Sequence, residues 1–294
     1  MTAKYAFINS EEGNYSMRNM CRWARVSRAG YYEWLDRPVS ATQRWRDELG
    51  DIIEVLFADS DGTYGYRRIH ANLQRAGRPC DPQTVRVLMA ERGLVACQPR
   101  PRGPRTTIPA ASGALPDLVN RDFTADEPGL KLVGDITYIP TWQGWVYLAT
   151  VLDCCTKKVV GYAMAEHMRT ELVVDALKMA ISNGHTRHGE TVFHSDRGTQ
   201  YMSAEFAEFT RDAGIVRSVG RTGICYDNAW AESFNATLKV ERVHRTVYPT
   251  RRHAIGDIAR YIELRYNQRR LHSALQYRTP NEAEQDWYAT NKAA

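Results

Sequence analysis

Three carboxylates in this 294-residue sequence stand at positions where an acidic side chain could do chemistry. Asp135 interrupts the apolar segment 132–139, where a buried carboxylate without a partner is energetically costly. Asp196 follows a short apolar strand and leads into a turn that would expose it. Glu232 lies in the first turns of a predicted helix at about 229–241.

This set of carboxylates indicates metal-dependent chemistry on phosphate esters. No His/Cys cluster accompanies it, so the ligands suit a hard, oxygen-binding ion such as Mg²⁺. Two such ions about 3.5–4 Å apart can activate an attacking oxygen and stabilise a leaving one without a protein nucleophile. On the predicted helix, Asn235 and Lys239 fall on the same face as Glu232, and both are candidate DNA contacts. A cation there could hold a phosphate while the carboxylate holds a metal.

The residues alone do not single out these three carboxylates. The chain has 34 Asp and Glu residues, and most acidic residues lie on protein surfaces. Asp153 is an alternative because it ends a predicted strand, and Glu171 and Asp227 are others. Asp227 is also explained as a helix cap, a role that Asn228 could fill instead. Spacing by itself leaves the choice open.

The elements that would position these side chains follow an alternating order. Three predicted strands separated by short turns indicate an antiparallel meander. A helix, a short strand, a second helix and a last strand come next, which is the order of a mixed α/β sheet with helices on its faces. The strands are predicted at 132–139, 145–152, 158–164, 191–194 and 215–219, and the helices begin at Thr170 and Ser203.

The N-terminal region is predicted to be helical and to include residues that contact DNA. Segment 16–34 has the pattern of two short helices around a break, which is either a helix-turn-helix or a plain helical hairpin. A further helix begins at Pro82 and ends near Gly93, and it would leave Thr84 and Arg86 free to meet either DNA or solvent. The other candidate DNA contacts in this region are Arg67 and Arg68.

A basic, proline-rich linker divides the chain. The stretch 99–107 is rich in proline and arginine and lacks a hydrophobic period, so it cannot form a packed element, and the linker is expected to span 99–122. We therefore expect a helical, helix-turn-helix-like DNA-binding region at 1–98, a catalytic core at 123–245 and a C-terminal helical extension at 246–294.

Composition excludes several classes of protein. The hydrophobic content of 43% is ordinary for a globular chain, and no apolar run approaches the roughly 20 residues that a membrane span needs. The N-terminus lacks a secretory-signal pattern, so a cytoplasmic location is expected. Six cysteines without CxxC spacing are expected to be reduced thiols. The net charge of +5 arises mainly from residues 1–120, where 17 Lys and Arg face 13 Asp and Glu, and this balance is compatible with DNA binding.

Several motifs make the chain resemble a known family. The matching strings are YGYRRIH at 64–70, GDITYIP at 134–140, HSDRGTQY at 194–201, CYDNAWAESFNATLK at 225–239 and YNQRRLHSAL at 266–275. Together they resemble the second-frame (OrfB) transposases of the bacterial IS-three family, relatives of retroviral integrases, over residues 15–285. The resemblance implies an α/β fold, an RNase H-like mixed-sheet integrase core, preceded by an all-α region of helix-turn-helix type.

The resemblance also implies which carboxylates act. The family's triad is two aspartates and a glutamate with 35 residues between the last two, and 35 residues separate Asp196 from Glu232. By resemblance, Asp135, Asp196 and Glu232 bind two Mg²⁺ ions, for which Mn²⁺ would substitute. Lys239 matches the family's cation seven residues beyond the glutamate. The implied activity is DNA cleavage and strand transfer at the ends of an insertion sequence.

The family implies several partners. These are DNA, as the element's terminal inverted repeats and as target, further copies of the chain on that DNA, and an upstream-frame product to which this frame is often fused by frameshifting. Two other functions remain open at this point. One is a DNA-binding regulator of transposition with a vestigial nuclease site, and the other is a nuclease that cuts DNA without joining it.

Two departures from the family pattern lie outside the triad. Gln276 stands where the family has a glycine, and Thr156-Lys157 stands where it has a serine-arginine pair. We expect them to alter local DNA contacts rather than the chemistry.

Overall fold

The structure is a computed structural model that describes residues 1–98, 115–220 and 228–291. Most of the predicted linker, the thiol of Cys225 and the proposed helix cap Asp227 lie outside these described residues.

Five strands form one mixed sheet in the order β3-β2-β1-β4-β5. The first three pair antiparallel as the predicted meander, while β4 and β5 run parallel to β1. Only residues 131–133 of β1 pair with β4, so Asp135 lies beyond that pairing, where no strand of the described residues covers this open edge of β1. The strands are β1 Lys131–Thr141, β2 Gly144–Asp153, β3 Val159–Ala165, β4 Val192–Ser195 and β5 Val216–Val219.

Helices precede, interrupt and follow the sheet. The helices predicted in the N-terminal region, after β3 and at about 229–241 are all present. Helix α1 was not predicted from the sequence. Only Tyr5 and Ile8 on it are buried, so it has little of the apolar periodicity that marks a helix. The helices are α1 Thr2–Ser10, α2 Met17–Ala24, α3 Arg28–Leu35, α4 Ala41–Asp59, α5 Tyr66–Arg75, α6 Pro82–Glu91, α7 Thr170–Ser182, α8 Ala204–Asp212, α9 Ala229–Glu241, α10 Arg251–Arg260 and α11 Pro280–Asn291, and a π-helical segment Tyr261–Asn267 extends α10. No helix in the described ranges combines the length and the hydrophobicity needed to cross a bilayer.

The N-terminal helices pack as two units. Helices α1 to α3 enclose a small core that includes Tyr5, Ile8 and Tyr31. Helices α4 to α6 enclose a second core that includes Ile53 and Leu73. The helical character predicted for residues 1–98 is therefore present, but it belongs to two separate hydrophobic clusters.

The two faces of the sheet carry different helices. Helices α7 and α8 cover one face through a cluster that contains Leu132 and Phe193. Helix α9, helix α10 and the π-helical segment cover the other, and Tyr248, Ile258 and Tyr266 belong to the same cluster as Val133 and Leu148. The predicted boundary at residue 245 thus falls inside one hydrophobic cluster, because the C-terminal helices complete the core of the sheet.

The C-terminal chain also connects the sheet to the N-terminal helices. Leu271 belongs to the cluster of α4 to α6. The Tyr64 hydroxyl donates to the carbonyl oxygen of Arg269 at 3.0 Å and accepts from the amide of Leu271 at 2.8 Å. Residues after the π-helical segment therefore fix the position of α4 to α6 against the core.

Candidate active site

Asp135 lies in the middle of β1, opposite Thr150 of β2. The side chain is half-buried and faces α9, where the amide Nδ2 of Asn235 donates to its Oδ2 at 2.8 Å. The neighbouring Gly134 allows the strand to pass the Phe193 ring, which a Cβ atom at that position would meet at 2.3 Å. Strand β1 therefore presents one carboxylate at the open part of its edge.

Asp196 is the first residue after β4. It is exposed, and its Oδ1 accepts a hydrogen bond from the amide of Gly198 at 2.9 Å. Because β4 is parallel to β1 and pairs with it at His194 and Val133, the chain leaves β4 beside Asp135. This is the exposed position at the end of a strand that the sequence predicted.

Glu232 lies in the first turn of α9 and is half-buried. The start of this helix is held against β1, because Nδ2 of Asn228 donates to the carbonyl oxygen of Gly134 at 3.1 Å. Asn228 occupies the N-cap position but makes no side-chain capping bond, so the capping role predicted for it is wrong. Its side chain instead joins the helix to the strand that carries Asp135.

The electrostatics bring the three carboxylates into one environment. Burial raises the pKa of Asp135 to about 7, and the charges of Asp196 and Glu232 act in the same direction. The hydrogen bond from Asn235 acts in the opposite direction, because it stabilises the ionised form. Burial also raises the pKa of Asp196, against the hydrogen bond from Gly198. Asp196 keeps contact with solvent, which can stabilise its charge. Asp135 is therefore the carboxylate whose charge is most disfavoured by burial.

The donor set fits a hard divalent cation. A cation would offset the charges of Asp196 and Glu232 that raise the pKa of Asp135, and carboxylate oxygens are the ligands that Mg²⁺ prefers. Near them, the buried Oδ1 atoms of Asn228 and Asn235 and the Oγ1 of Thr150 have no hydrogen-bond partner within the described residues. No three His, Cys, Asp or Glu side chains of that described part close into a metal cage. A Mg²⁺ ion bound by these carboxylates would take its remaining ligands from water and phosphate.

Two alternative carboxylates, Asp153 and Glu171, occupy different environments. Asp153 is buried and accepts from the amide and hydroxyl of Thr156 at 2.7 Å each and from the amide of Gly129 at 3.0 Å, so it holds a turn together. Glu171 is exposed in the first turn of α7. Asp153 is therefore used within a turn and Glu171 lies on the surface, and neither is a cause of the raised pKa of Asp135.

The two other residues predicted on the face of Glu232 both reach β1, but only one is accessible. Asn235 is 6% exposed, and its amide is used by Asp135, so it is a positioning residue rather than a DNA contact. Lys239 is half-buried and its Nζ lies 4.6 Å from the ring centroid of Tyr138. Lys239 therefore contacts the part of β1 that follows Asp135.

The Thr156-Lys157 pair does not face DNA. Both residues are buried, Thr156 in the turn with Asp153, and Lys157 donating to the carbonyl oxygens of Phe123 and Cys154 at 2.7 and 2.8 Å. The expected change in DNA contacts at this pair is wrong, because these side chains stabilise the turn after β2.

The N-terminal candidates for DNA contacts differ in accessibility. Arg86 on α6 is exposed and Thr84 is half-buried, and Arg67 is exposed over the Tyr66 ring. Helix α6 begins as predicted, with Pro82 in its first turn and Asp81 as its cap. Arg68 donates to the carbonyl oxygen of Leu271 at 2.9 Å, so its role is to attach α5 to the C-terminal chain.

Sequence reasoning missed Asn228 as an anchor and Thr150 as the neighbour of Asp135. Asn228 carried a signal, since it directly precedes the helix of Glu232, but the pattern indicated capping. Thr150 carried none, because the register of β1 against β2 is visible only in the folded sheet.

Comparison with known proteins places these features in a family. Models of the integrase core domain match residues 125–225 and 213–280, and a model of an HTH-like domain matches residues 44–102. The chain is 35% identical over 272 residues to the transposase InsF for insertion sequence IS3A of Escherichia coli K12, covering 92% of this chain and 94% of the relative. It is 36% identical over 250 residues to the transposase for insertion sequence element IS904 of Lactococcus lactis, covering 85% and 98%.

Among solved structures, the chain shows partial similarity to retroviral proteins. One is a chain of the simian T-cell lymphotropic virus intasome, with a TM-score of 0.44, 16% identity and coverage of 73% of this chain and 70% of that one. Another is the HTLV-2 integrase catalytic core domain in complex with magnesium, with a TM-score of 0.42, 18% identity and coverage of 53% and 97%. The expected α/β core and the helix-turn-helix-type region are both confirmed by the family models, the latter at residues 44–102.

Proposed function

Because this chain belongs to the IS3 family of insertion-sequence transposases, we propose that Asp135, Asp196 and Glu232 are the catalytic carboxylates with which it cleaves and joins DNA. The observation that carries this proposal is the environment of Asp135, whose pKa is raised to about 7 by burial and by the charges of Asp196 and Glu232. A protein retains such unfavourable proximity of like charges where function requires it.

The carboxylates would hold divalent cations, Mg²⁺ or Mn²⁺, and two ions suit phosphodiester chemistry. When bound, these ions polarise the phosphate and favour the ionised form of the attacking hydroxyl. Asn235 orients the Asp135 carboxylate toward α9, and Lys239 is placed to hold a phosphate beside Glu232. Water attacks first to cut the element's end, and the released 3′-hydroxyl then attacks a second DNA strand. Both steps are in-line displacements at phosphorus.

Helices α4 to α6 would supply DNA binding. They coincide with the HTH-like match, and Arg67, Thr84 and Arg86 are at least partly accessible on them. Phosphate contacts from the arginines would set the position of α6, and Thr84 would reach base edges. Substituting Arg86 should weaken binding to all sequences and reduce its dependence on salt.

The wider assembly follows from the reaction. Two element ends and a target have to be brought together, so we infer that several copies of the chain act on one DNA complex. Fusion to an upstream-frame product would supply further recognition of the element's ends. The site of action would be the cytoplasm, where bacterial DNA lies.

The test uses a labelled duplex that carries the element's terminal repeat, with Mg²⁺ or EDTA. Asp196→Asn removes one charge from the site, and the exposed Asp212→Asn on α8 is the matched control. The proposal expects metal-dependent cut and joined products with the parent and the control, and none with Asp196→Asn, while all three bind the duplex equally.

Three other results would contradict the proposal. Metal-independent binding without products from the parent, even after the upstream frame is added, would indicate a regulator with a vestigial site. Cut products that are never joined would indicate a nuclease. Equal loss of DNA binding in Asp196→Asn would mean that Asp196 acts in binding rather than in chemistry.

A further inference from the structure

Three aromatic side chains are exposed at the end of the β1–β2 ribbon. Tyr138 is 53% exposed, Trp145 is 47% exposed, and Trp142 in the connecting turn is 77% exposed. Single exposed apolar residues are common on proteins, but a group of large aromatic rings at one place indicates a binding surface. We call these three residues the aromatic tip.

The aromatic tip is held in place by the surrounding structure. The rings of Tyr138 and Trp145 pack edge to face, with centroids 5.0 Å apart and an interplanar angle of 82°. The amide of Trp142 donates to the carbonyl oxygen of Tyr248 at 3.1 Å, and the amide of Arg251 donates to Oε1 of Gln143 at 3.0 Å. The rings are therefore presented on a fixed ribbon, so little conformational entropy would be lost when they bind a ligand.

The aromatic tip is next to the candidate active site. Tyr138 follows Asp135 by three residues, which is about 10 Å along β1, and this odd spacing starts the two side chains from opposite faces of the strand, so their link is made by the end of α9. The Nζ atom of Lys239, on the helix of Glu232, lies 4.6 Å from the centroid of the Tyr138 ring. A positive charge thus accompanies the aromatic faces, which is the combination that binds single-stranded nucleic acid.

We propose that the aromatic tip binds an unstacked DNA base adjacent to the scissile phosphate. The proposal rests on the proposed function, because that function supplies DNA as the ligand. An aromatic ring stacks on any base, whereas the neighbouring cation attracts the phosphate of the same nucleotide. Holding one base out of the duplex would expose the scissile phosphate to the carboxylates on β1 and α9.

Photo-crosslinking tests the contact without requiring catalysis. Terminal-repeat duplexes carry 5-iododeoxyuridine at single positions flanking the cleavage site, and the protein carries Asp196→Asn so that the DNA stays intact. We expect crosslinks that map to Tyr138, Trp142 or Trp145 and that are lost in Trp142→Ala and Trp145→Ala. The exposed Trp23→Ala on α2 is the matched control and should crosslink normally. Crosslinks confined to other residues would overturn the proposal.

Kinetics test the consequence of the contact. In the otherwise unaltered protein, Trp142→Ala and Trp145→Ala should slow cleavage of a fully paired duplex by about 5- to 100-fold. A mismatch at the flanking position should restore much of the rate, because the base is then already unpaired. An equal defect on both duplexes would contradict the proposal.

Two further outcomes separate this inference from its alternatives. If the parent protein cuts and joins DNA but no crosslinks to the aromatic tip form, only this inference fails. If the parent protein cuts no duplex, the proposed function fails, and the crosslinks still decide whether the aromatic tip contacts DNA. If Trp142→Ala changes the sedimentation of the DNA-free protein, the aromatic tip is instead a contact between copies of the chain.

Discussion

The amide Nδ2 of Asn235 donates a hydrogen bond to Oδ2 of Asp135 at 2.8 Å, and this bond joins α9 to β1 at the centre of the candidate active site. The other amide atom, Oδ1, is buried and has no hydrogen-bond partner among the described residues. Asn235 thus fixes the orientation of a carboxylate whose ionised form is otherwise disfavoured by burial.

Asn235→Ala is expected to slow DNA cleavage by about 10- to 100-fold, since a hydrogen bond to a charged group contributes roughly 1.5–3 kcal/mol. The midpoint of the Mg²⁺ titration should rise, while the KM for DNA should stay near that of the parent. Asn183→Ala, at an exposed position after α7, is the control. If Asn235 were only structural, its substitution would lower the melting temperature and leave the Mg²⁺ midpoint unchanged.

Asp135→Asn is expected to stabilise the metal-free protein while abolishing catalysis. The pKa of Asp135 rises from 3.8 to about 7 in the folded state, so folding favours the protonated form. The contribution of Asp135 to the free energy of unfolding is therefore fully present below pH 3.8 and is lost as the pH rises to about 7. The loss amounts to at most about 4 kcal/mol, at roughly 1.4 kcal/mol per pKa unit.

Urea denaturation in EDTA at a pH above the raised pKa checks this prediction, with the exposed Asp212→Asn as the control. Adding Mg²⁺ should reduce the advantage of Asp135→Asn, because the cation compensates the charge in the parent. A variant less stable than the parent in EDTA would show that the Asp135 carboxylate is not under electrostatic strain.

His272 is expected to make the fold sensitive to acid. Burial, reinforced by the charges of Arg270, Arg68 and Lys157, lowers the pKa of this imidazole from 6.5 to about 2. Below its ordinary pKa the unfolded chain takes up a proton that the folded chain does not. Stability is therefore fully present above pH 6.5 and declines as the pH falls, by up to about 1.4 kcal/mol per pH unit.

The free energy of unfolding of His272→Gln should depend less steeply on pH in this acidic range than that of the parent. His188→Gln, at an exposed position, should retain the parent's slope because His272 is still present. A slope that is the same in His272→Gln and the parent would assign the acid sensitivity to other groups.

Gln276→Gly is expected to lower the free energy of unfolding less than Gln268→Gly does. Gln276 has a φ of 54°, in the left-handed region that favours glycine and costs other residues about 1 kcal/mol. This backbone conformation would accept the glycine that the family resemblance implies at this position. Gln268, also exposed, has a φ of −96° and is the matched control.

Urea denaturation should find Gln276→Gly more stable than Gln268→Gly by about 1 kcal/mol. Equal losses in the two variants would mean that the left-handed backbone at Gln276 carries no strain.

Local patterns in the sequence were enough to predict several parts of this protein. Alternating apolar residues predicted the meander of β1 to β3, and helical periodicity predicted α9 within its observed bounds, because strands and helices repeat over short distances. The motifs around Asp135, Asp196 and Glu232 made the chain resemble a family, and that resemblance implied the chemistry. These features require no knowledge of which segments meet.

The contacts of the side chains depend on the tertiary structure. Only the folded sheet shows that β4 pairs with three residues of β1 and leaves Asp135 at an open edge. Asn235 was predicted to face DNA and instead supports Asp135, and Arg68 was predicted to face DNA and instead holds Leu271. Local pattern could not predict these contacts because they join residues about 100 or 200 positions apart. No local periodicity specifies such a pairing, which is selected when the hydrophobic clusters of the whole chain pack together.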